Sequence, residues 1–381
     1  LSQTILTKEI QEEIRTLVKK RSDFEHTVLA RGSKAVDFAR YAAWEISLEK
    51  LRAKRCKRLK IKGSSAHAGQ ARIFSIFDRG TRKHMGDLGL WMSYLQFARE
   101  VKALKKFKTV LTAAIRLHPT KTELWLYAAK WALEEESDMN GARSYMQRGT
   151  RFCTRSQVLW IEYAKLEMIY LAKIAMRRKI LGLDKPSKPV VADITDMEQD
   201  DMEFTNGADM IAIPDIADDL LQPNSMESVK VDEEAVQDPM TTPALKGAIP
   251  IAIFNEARKQ PFYCAAVGEE FFNMFAAFVG VHCQASVMQQ VLETMTESFS
   301  VDAATCNCLV KQFMVGVEPL TADFPAALGL ALECLKVAME KTNDKALLAK
   351  KTTAWIEPIL SLEDLDSDIQ TVLRHTLKKL Q

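Results

Sequence analysis

The segment VLWIEYAKLE, Val158–Glu167, sets Trp160, Tyr163 and Leu166 three residues apart, with Glu167 directly after. Steps of three place side chains on one face of a helix. The same spacing recurs in DFARYAAWE (Asp37–Glu45), LWMSYLQFA (Leu90–Ala98) and LWLYAAKWA (Leu124–Ala132). Phe38, Trp91, Trp125 and Trp160 fill the first slot, and Tyr41, Tyr94, Ala128 and Tyr163 the second. Trp44, Phe97, Trp131 and Leu166 fill the third. An acid follows at Glu45 and Glu167 and is replaced by Ala98 and Ala132. Five of the six tryptophans lie in these four copies, so the agreement is a register and not an accident of composition.

Trp91 and Trp125 are 34 residues apart, and Trp125 and Trp160 are 35. RGTRKH (Arg79–His84), AAIRLH (Ala113–His118) and RGTRFC (Arg148–Cys153) precede their tryptophans at one offset. They align Arg82, Arg116 and Arg151, and also Gly80, Ala114 and Gly149, small residues where two helices would approach closely. A period of 34–35 residues with two helices per unit predicts an all-α, TPR-like solenoid of helical hairpins. One unit cannot bury its aromatic stripe alone, so the repeat positions read first as core. No alternating strand pattern of any length competes with this reading.

Proline and charge divide the chain. Residues 1–36 read as an N-terminal helical segment, which Thr7 would cap and whose apolar face runs Ile10, Ile14, Leu17, Val18, Phe24 and Val28. Residues 37–184 hold the four repeats, with a basic insertion at about 46–70 that stretches the Phe38–Trp91 spacing to 53. Residues 185–248 are proline-rich and acidic. From Val190 to Met240 there are fifteen Asp and Glu residues against Lys230 alone. Such a composition predicts a largely disordered linker. Residues 249–381 read as degenerate helical repeats, with Phe272, Phe275 and Phe278 in the three slots. The 381-residue chain has a net charge of +2, so removing the −14 segment leaves about +16 on the rest.

Seven scattered cysteines and the lack of any N-x-[ST] site suggest a reducing compartment. The chain starts at Leu1 without a methionine and reads as a portion of something longer. His282-Cys283 and Cys306-x-Cys308 lack metal-site spacing, and no P-loop, nucleophile-elbow or HExxH motif occurs. Neither an enzyme nor a cofactor is expected.

The W-x-x-Y-x-x-x-E helix with an Arg-Gly helix before it resembles the HAT (half-a-tetratricopeptide) repeat family of RNA-processing complexes. More narrowly, EEIRTLVKKRSDFEH (Glu12–His26), the run from Asp37 to Lys62, and RGTRKHMGDLGLW (Arg79–Trp91) are similar to a HAT-repeat family of the UTP-B subcomplex. That resemblance implies a non-catalytic scaffold subunit of the nucleolar small-subunit processome, acting in 18S rRNA maturation. It implies WD-repeat β-propeller partners in UTP-B, with U3 snoRNA and pre-rRNA of the 5′ external transcribed spacer nearby. A HAT scaffold of splicing or RNA 3′-end processing is the alternative within the class, and a stand-alone RNA-binding protein the alternative outside it.

The candidate RNA-binding residues lie in KLRAKRCKRLKIK: Lys50, Arg52, Lys54, Arg55, Lys57, Arg58, Lys60 and Lys62. Eight cations in thirteen residues without an acid suit phosphate neutralisation, which positions a backbone and reads no sequence. The competing reading is a solvated basic face or a nuclear-localisation patch. Arg82, Arg116 and Arg151 would line a groove or, in the blander reading, bind helix ends and neighbouring carboxylates.

Overall fold

The computed structural model describes residues 2–58, 60, 66–180, 245–362 and 365–380. Among them every regular element is helical, and no strand occurs. The expected linker lies outside the described residues. The chain forms two compact units that divide between Cys153 and Thr154.

The first unit holds α1 (Ser2–Leu29), α2 (Ala35–Arg58), α3 (Ala66–Lys83), α4 (Leu88–Glu100), α5 (Leu104–Leu117), α6 (Thr122–Glu134) and α7 (Met139–Phe152). Consecutive helices pack as antiparallel neighbours, the geometry that short connections impose. Asp87 caps α4 by accepting from the Leu90 amide at 2.8 Å, and Asp138 caps α7 through the Gly141 amide at 2.8 Å. The chain turns after α4 at Lys102 and after α6 at Ser137, both in the left-handed region at φ 57° and 54°. The two turns are 35 residues apart, so the solenoid repeats its connections as well as its core.

Aromatic slots form the joints between helices. Phe24 stacks on Tyr41 with centroids 5.2 Å apart, and Phe77 on Tyr94 at 5.1 Å, each pair separated by seventeen residues. Phe107 meets Trp131 at 4.5 Å. Phe38, Tyr41, Trp91, Tyr94, Phe97, Trp125 and Trp131 are buried, while Trp44 is half-buried against Phe24. Removing one of these buried rings would cost about 3–5 kcal/mol. The indole Nε1 of Trp91 donates to the Met85 carbonyl at 3.0 Å, and that of Trp125 to the Pro119 carbonyl at 2.8 Å. The same two carbonyls also receive His118 Nε2 at 2.8 Å and Cys153 Sγ at 3.5 Å from the following hairpin. One loop carbonyl per repeat therefore fixes its own tryptophan and ties in the next hairpin.

Gly80 lies where a Cβ would stand 2.9 Å from the Phe38 ring and 3.0 Å from Leu90 Cδ2, so the helix approach expected there is real. The expected apolar face of α1 needs correction. Phe24 and Val28 pack inward, but Ile14 and Val18 are 54% and 58% exposed. Next to them α1 meets α2 through the ion pair Glu13–Arg55 at 2.7 Å, a polar surface contact that does not cover the apolar pair.

The second unit starts with α8 (Gln157–Ile180), which carries the Trp160 slot. It continues with α9 (Ala248–Ala257), α10 (Ala265–Ala276), α11 (Gln284–Phe299), α12 (Ala303–Lys311), α13 (Phe324–Lys341), α14 (Lys345–Leu360) and α15 (Ser367–Leu380). α8 packs on α9 and α10, so the fourth aromatic copy shares a core with helices that follow the acidic segment. Tyr163, Leu166 and Glu167 are buried there, and Trp160 is half-buried. Phe254, Phe271, Phe272 and Phe275 supply the centre, Phe254 meeting Phe271 edge-on at 5.3 Å. Phe278, read as the third slot, falls two residues past the end of α10 and is only half-buried. Glu269 on α10 accepts from Asn307 of α12 at 2.7 Å and pairs with Lys351 of α14, a polar bond across three helices.

Candidate nucleic-acid interface

The basic run does not form a separate lobe. α2 continues without a break through Arg58 and reaches 24 residues, against 13 for the corresponding α4. Eleven more residues add about 16 Å of helix at 1.5 Å per residue. Nothing in the sequence interrupts it. Ala43 to Arg58 holds neither Gly nor Pro, and its Ala, Glu, Lys, Arg and Leu are good helix formers. Lysine and arginine in its last turn also suit the negative end of the helix dipole. The helix stops before Lys60, which sits at φ 52°.

Helical phase divides the cations into two groups. Lys50, Lys54, Lys57 and Arg58 stand at i, i+4, i+7 and i+8, within an arc of about 100°. Arg52 and Arg55 lie outside that arc and are neutralised within the fold. Arg52 forms a two-pronged pair with Glu49, at 2.9 Å through Nε and 2.5 Å through Nη2, and this bond raises its pKa above the ordinary guanidinium value. Arg55 reaches Glu13 of α1 at 2.7 Å. Lys50 has the weaker partner, Glu100 at 3.7 Å, with both side chains largely in solvent. Lys54, Lys57, Arg58 and Lys60 are exposed, and no described carboxylate pairs with them. Lys62 lies outside the described residues.

Gly69 explains how α3 supports this projection. A Cβ there would collide with the Glu49 carboxylate, so its absence lets the start of α3 lie close to the Glu49–Arg52 pair. The i, i+3 spacing made Glu49–Arg52 readable from the sequence. Glu13 and Glu100 were missed because their partners lie far along the chain. What remains is a short ridge of three exposed cations on one helix face, with Lys60 after it. It suits a row of phosphates and lacks any arrangement of planar donors for reading base edges. Among the described residues no group of histidines, cysteines and carboxylates could hold a metal.

Residues 3–76, which contain α2, the basic run and most of α1, match the family model described as U3 small nucleolar RNA-associated protein 6. The chain is 33% identical over 228 residues to the Schizosaccharomyces pombe protein of that name, covering 59% of this chain and 46% of the relative. It is 29% identical over 174 residues to the human homologue, covering 44% of this chain and 28% of the relative. The Dictyostelium discoideum homologue is 25% identical over 163 residues, which are 42% of this chain and 27% of the relative. The match thus spans less than half the length of each of these curated relatives. A solved structure described as "Structure of Naa15/Naa10 bound to HypK-THB" aligns with 97% of this chain and 66% of its own at 11% identity and a TM-score of 0.21, too low for the two folds to be called alike. With its helical-hairpin repeats and its matched N-terminal segment, the chain resembles the U3 small nucleolar RNA-associated protein 6 family.

Proposed function

We propose that this chain is a non-catalytic scaffold in the particle that carries U3 small nucleolar RNA, the small-subunit processome, and that it serves 18S rRNA maturation in the nucleolus. The observation that carries the reading is the 33% identity over 228 residues to a protein named for U3 association. Repeats joined by aromatic stacks and loop-carbonyl bonds provide extended, rigid helical faces, which suit protein partners better than a small-molecule pocket. WD-repeat β-propeller subunits of UTP-B are the partners proposed for those faces. Lys54, Lys57 and Arg58, with Lys60 beside them, are the proposed contact to U3 snoRNA or to pre-rRNA of the 5′ external transcribed spacer.

Binding of the chain to a labelled 5′ spacer transcript, measured across a salt series, tests the RNA contact. A triple K54E/K57E/R58E variant is expected to weaken binding while protein partners still co-purify. Those three side chains have no ion pair to lose among the described residues, but Glu at positions 57 and 58 opposes the dipole at the end of α2, at a cost of up to about 1 kcal/mol each. The neutral K54Q/K57Q/R58Q variant is therefore the control, expected to weaken binding with the melting temperature of the parent. Unchanged RNA affinity in the triple variant would remove the basic ridge from the proposal.

A further inference from the structure

The α2 ridge leaves another repeated feature unused. Arg82, Arg116 and Arg151 each stand nine residues before a repeat tryptophan, in the last turn of α3, α5 and α7. These three helices run in the same direction, so their C-terminal turns share one edge of the first unit. All three arginines are exposed, and none has an ion pair with a described carboxylate. Of the blander sequence reading, the carboxylate partners are missing among the described residues, while the placement at helix ends is as that reading expects. By contrast, the arginine one turn earlier in α3, Arg79, is held by Glu25 at 2.8 and 2.9 Å.

The surroundings reinforce the charge. Arg31 and Lys34 in the α1–α2 connection, Lys121 before α6 and Arg148 on α7 are exposed at the same edge. The acids there are few. Asp37 and Asp87 accept the Lys34 and Leu90 amides and keep their charge, and with Glu123 they are outnumbered by the seven cations named at this edge. A helix C-terminus attracts cations but gains little from three long side chains held in solvent. An apolar side chain accompanies two of the arginines, Leu117 beside Arg116 and Phe152 beside Arg151, 46% and 56% exposed. The Phe152 ring lies nearly parallel to Trp125, 5.8 Å away at 11°, and presents much of its remaining surface to water.

We infer that this edge is a second nucleic-acid site, one that takes a single-stranded RNA along the row, with phosphates at Arg82, Arg116 and Arg151 and a base stacked on Phe152. One guanidinium per hairpin gives a periodic ligand to a periodic backbone. An aromatic ring fixed from behind by an indole is the platform that base stacking uses. An acidic peptide would use the charges but has no use for the ring, so RNA fits both observations.

The test is fluorescence anisotropy of the full chain with a fluorescein-labelled oligouridylate, measured over a salt series. Each arginine that neutralises a phosphate on a single strand contributes about 0.7 to the slope of log affinity against log salt. R82A/R116A/R151A is therefore expected to lower the slope by about 2, and Phe152→Ala to reduce affinity by about fivefold or more without changing the slope. Thermal melts of all variants separate loss of site from loss of fold, and Phe152→Tyr, which keeps the ring, is expected to restore binding. A K54A/K57A/R58A variant reports on the α2 ridge independently, so failure of one site is distinguishable from failure of the other. An unchanged slope and affinity in the arginine variant would overturn the inference. So would arginine-dependent binding of polyglutamate with none of oligouridylate, which would assign the row to an acidic protein.

Discussion

Glu45 shows what the acid after the aromatics does in one of the two copies that keep it. It is 3% exposed, bonded to Arg21 Nε at 2.6 Å and Nη2 at 3.1 Å, with Arg72 at 3.7 Å. The acid thus ties α1 and α3 to α2. A buried carboxylate held this way is costly to unpair, because the guanidinium is left without its counter-ion. Arg21 is about a third exposed, so solvent would compensate part of the loss, and Glu45→Ala is expected to cost about 2 kcal/mol in urea unfolding. A loss below about 0.5 kcal/mol would remove Glu45 from the joint. Glu25 makes a pH prediction. Its hydrogen bonds to Arg79 hold its pKa below the usual 4.5, against the opposing effect of burial. A carboxyl with a depressed folded-state pKa stabilises above the unfolded value and loses that contribution as pH falls through the folded one. Melting temperature should therefore drop as pH falls below about 4.5, and Glu25→Gln should flatten that part of the profile; a drop unchanged in Glu25→Gln would assign it to other groups.

At the scale of the element, the aromatic slots announced their helices because burial demands a period, and Phe38, Trp91 and Trp125 carry it openly. The stacked partners, Phe24 and Phe77, were harder to see: the seventeen-residue link to Tyr41 and Tyr94 joins two helices across a turn. The close approach at Gly80 was legible because Ala114 and Gly149 stand in register with it. Gly80→Ala is expected to destabilise by about 1–3 kcal/mol, since a methyl would press on Phe38 and Leu90. Gly86→Ala, with nothing within 4 Å of the added carbon, should be neutral or stabilising by up to about 1 kcal/mol. Equal effects in chemical denaturation would refute the packing account of Gly80. The basic run was visible as composition, but its division into a free face and a neutralised one was not. Helical phase groups the cations, but which of them are neutralised is settled only once Glu13 and Glu100, on distant helices, are packed beside them. In the second unit buried phenylalanines such as Phe271, Phe272 and Phe275 stand in place of the Trp and Tyr of the earlier copies, and Phe278 falls beyond its helix, so the register fades from the sequence there.

For the whole molecule, charge is segregated along the chain. An acidic stretch of net −14 follows repeats that carry exposed, unpaired cations on α2 and at the ends of α3, α5 and α7. No helix among the described residues is long and apolar enough to cross a membrane. Contacts built from lysine and arginine should make RNA association strongly salt-dependent, and the three free cations of the α2 ridge alone would contribute a slope of about −2 on a single strand. A scaffold reading makes a further demand, that the chain resides in a large assembly and does not act alone. The decisive measurement is purification of the tagged protein from nuclear extract, followed by gradient sedimentation and probing of the fractions for U3 small nucleolar RNA. Co-sedimentation with U3 RNA in a large particle is the expected result. Recovery of the protein as a free monomer, with U3 RNA in other fractions, would contradict it.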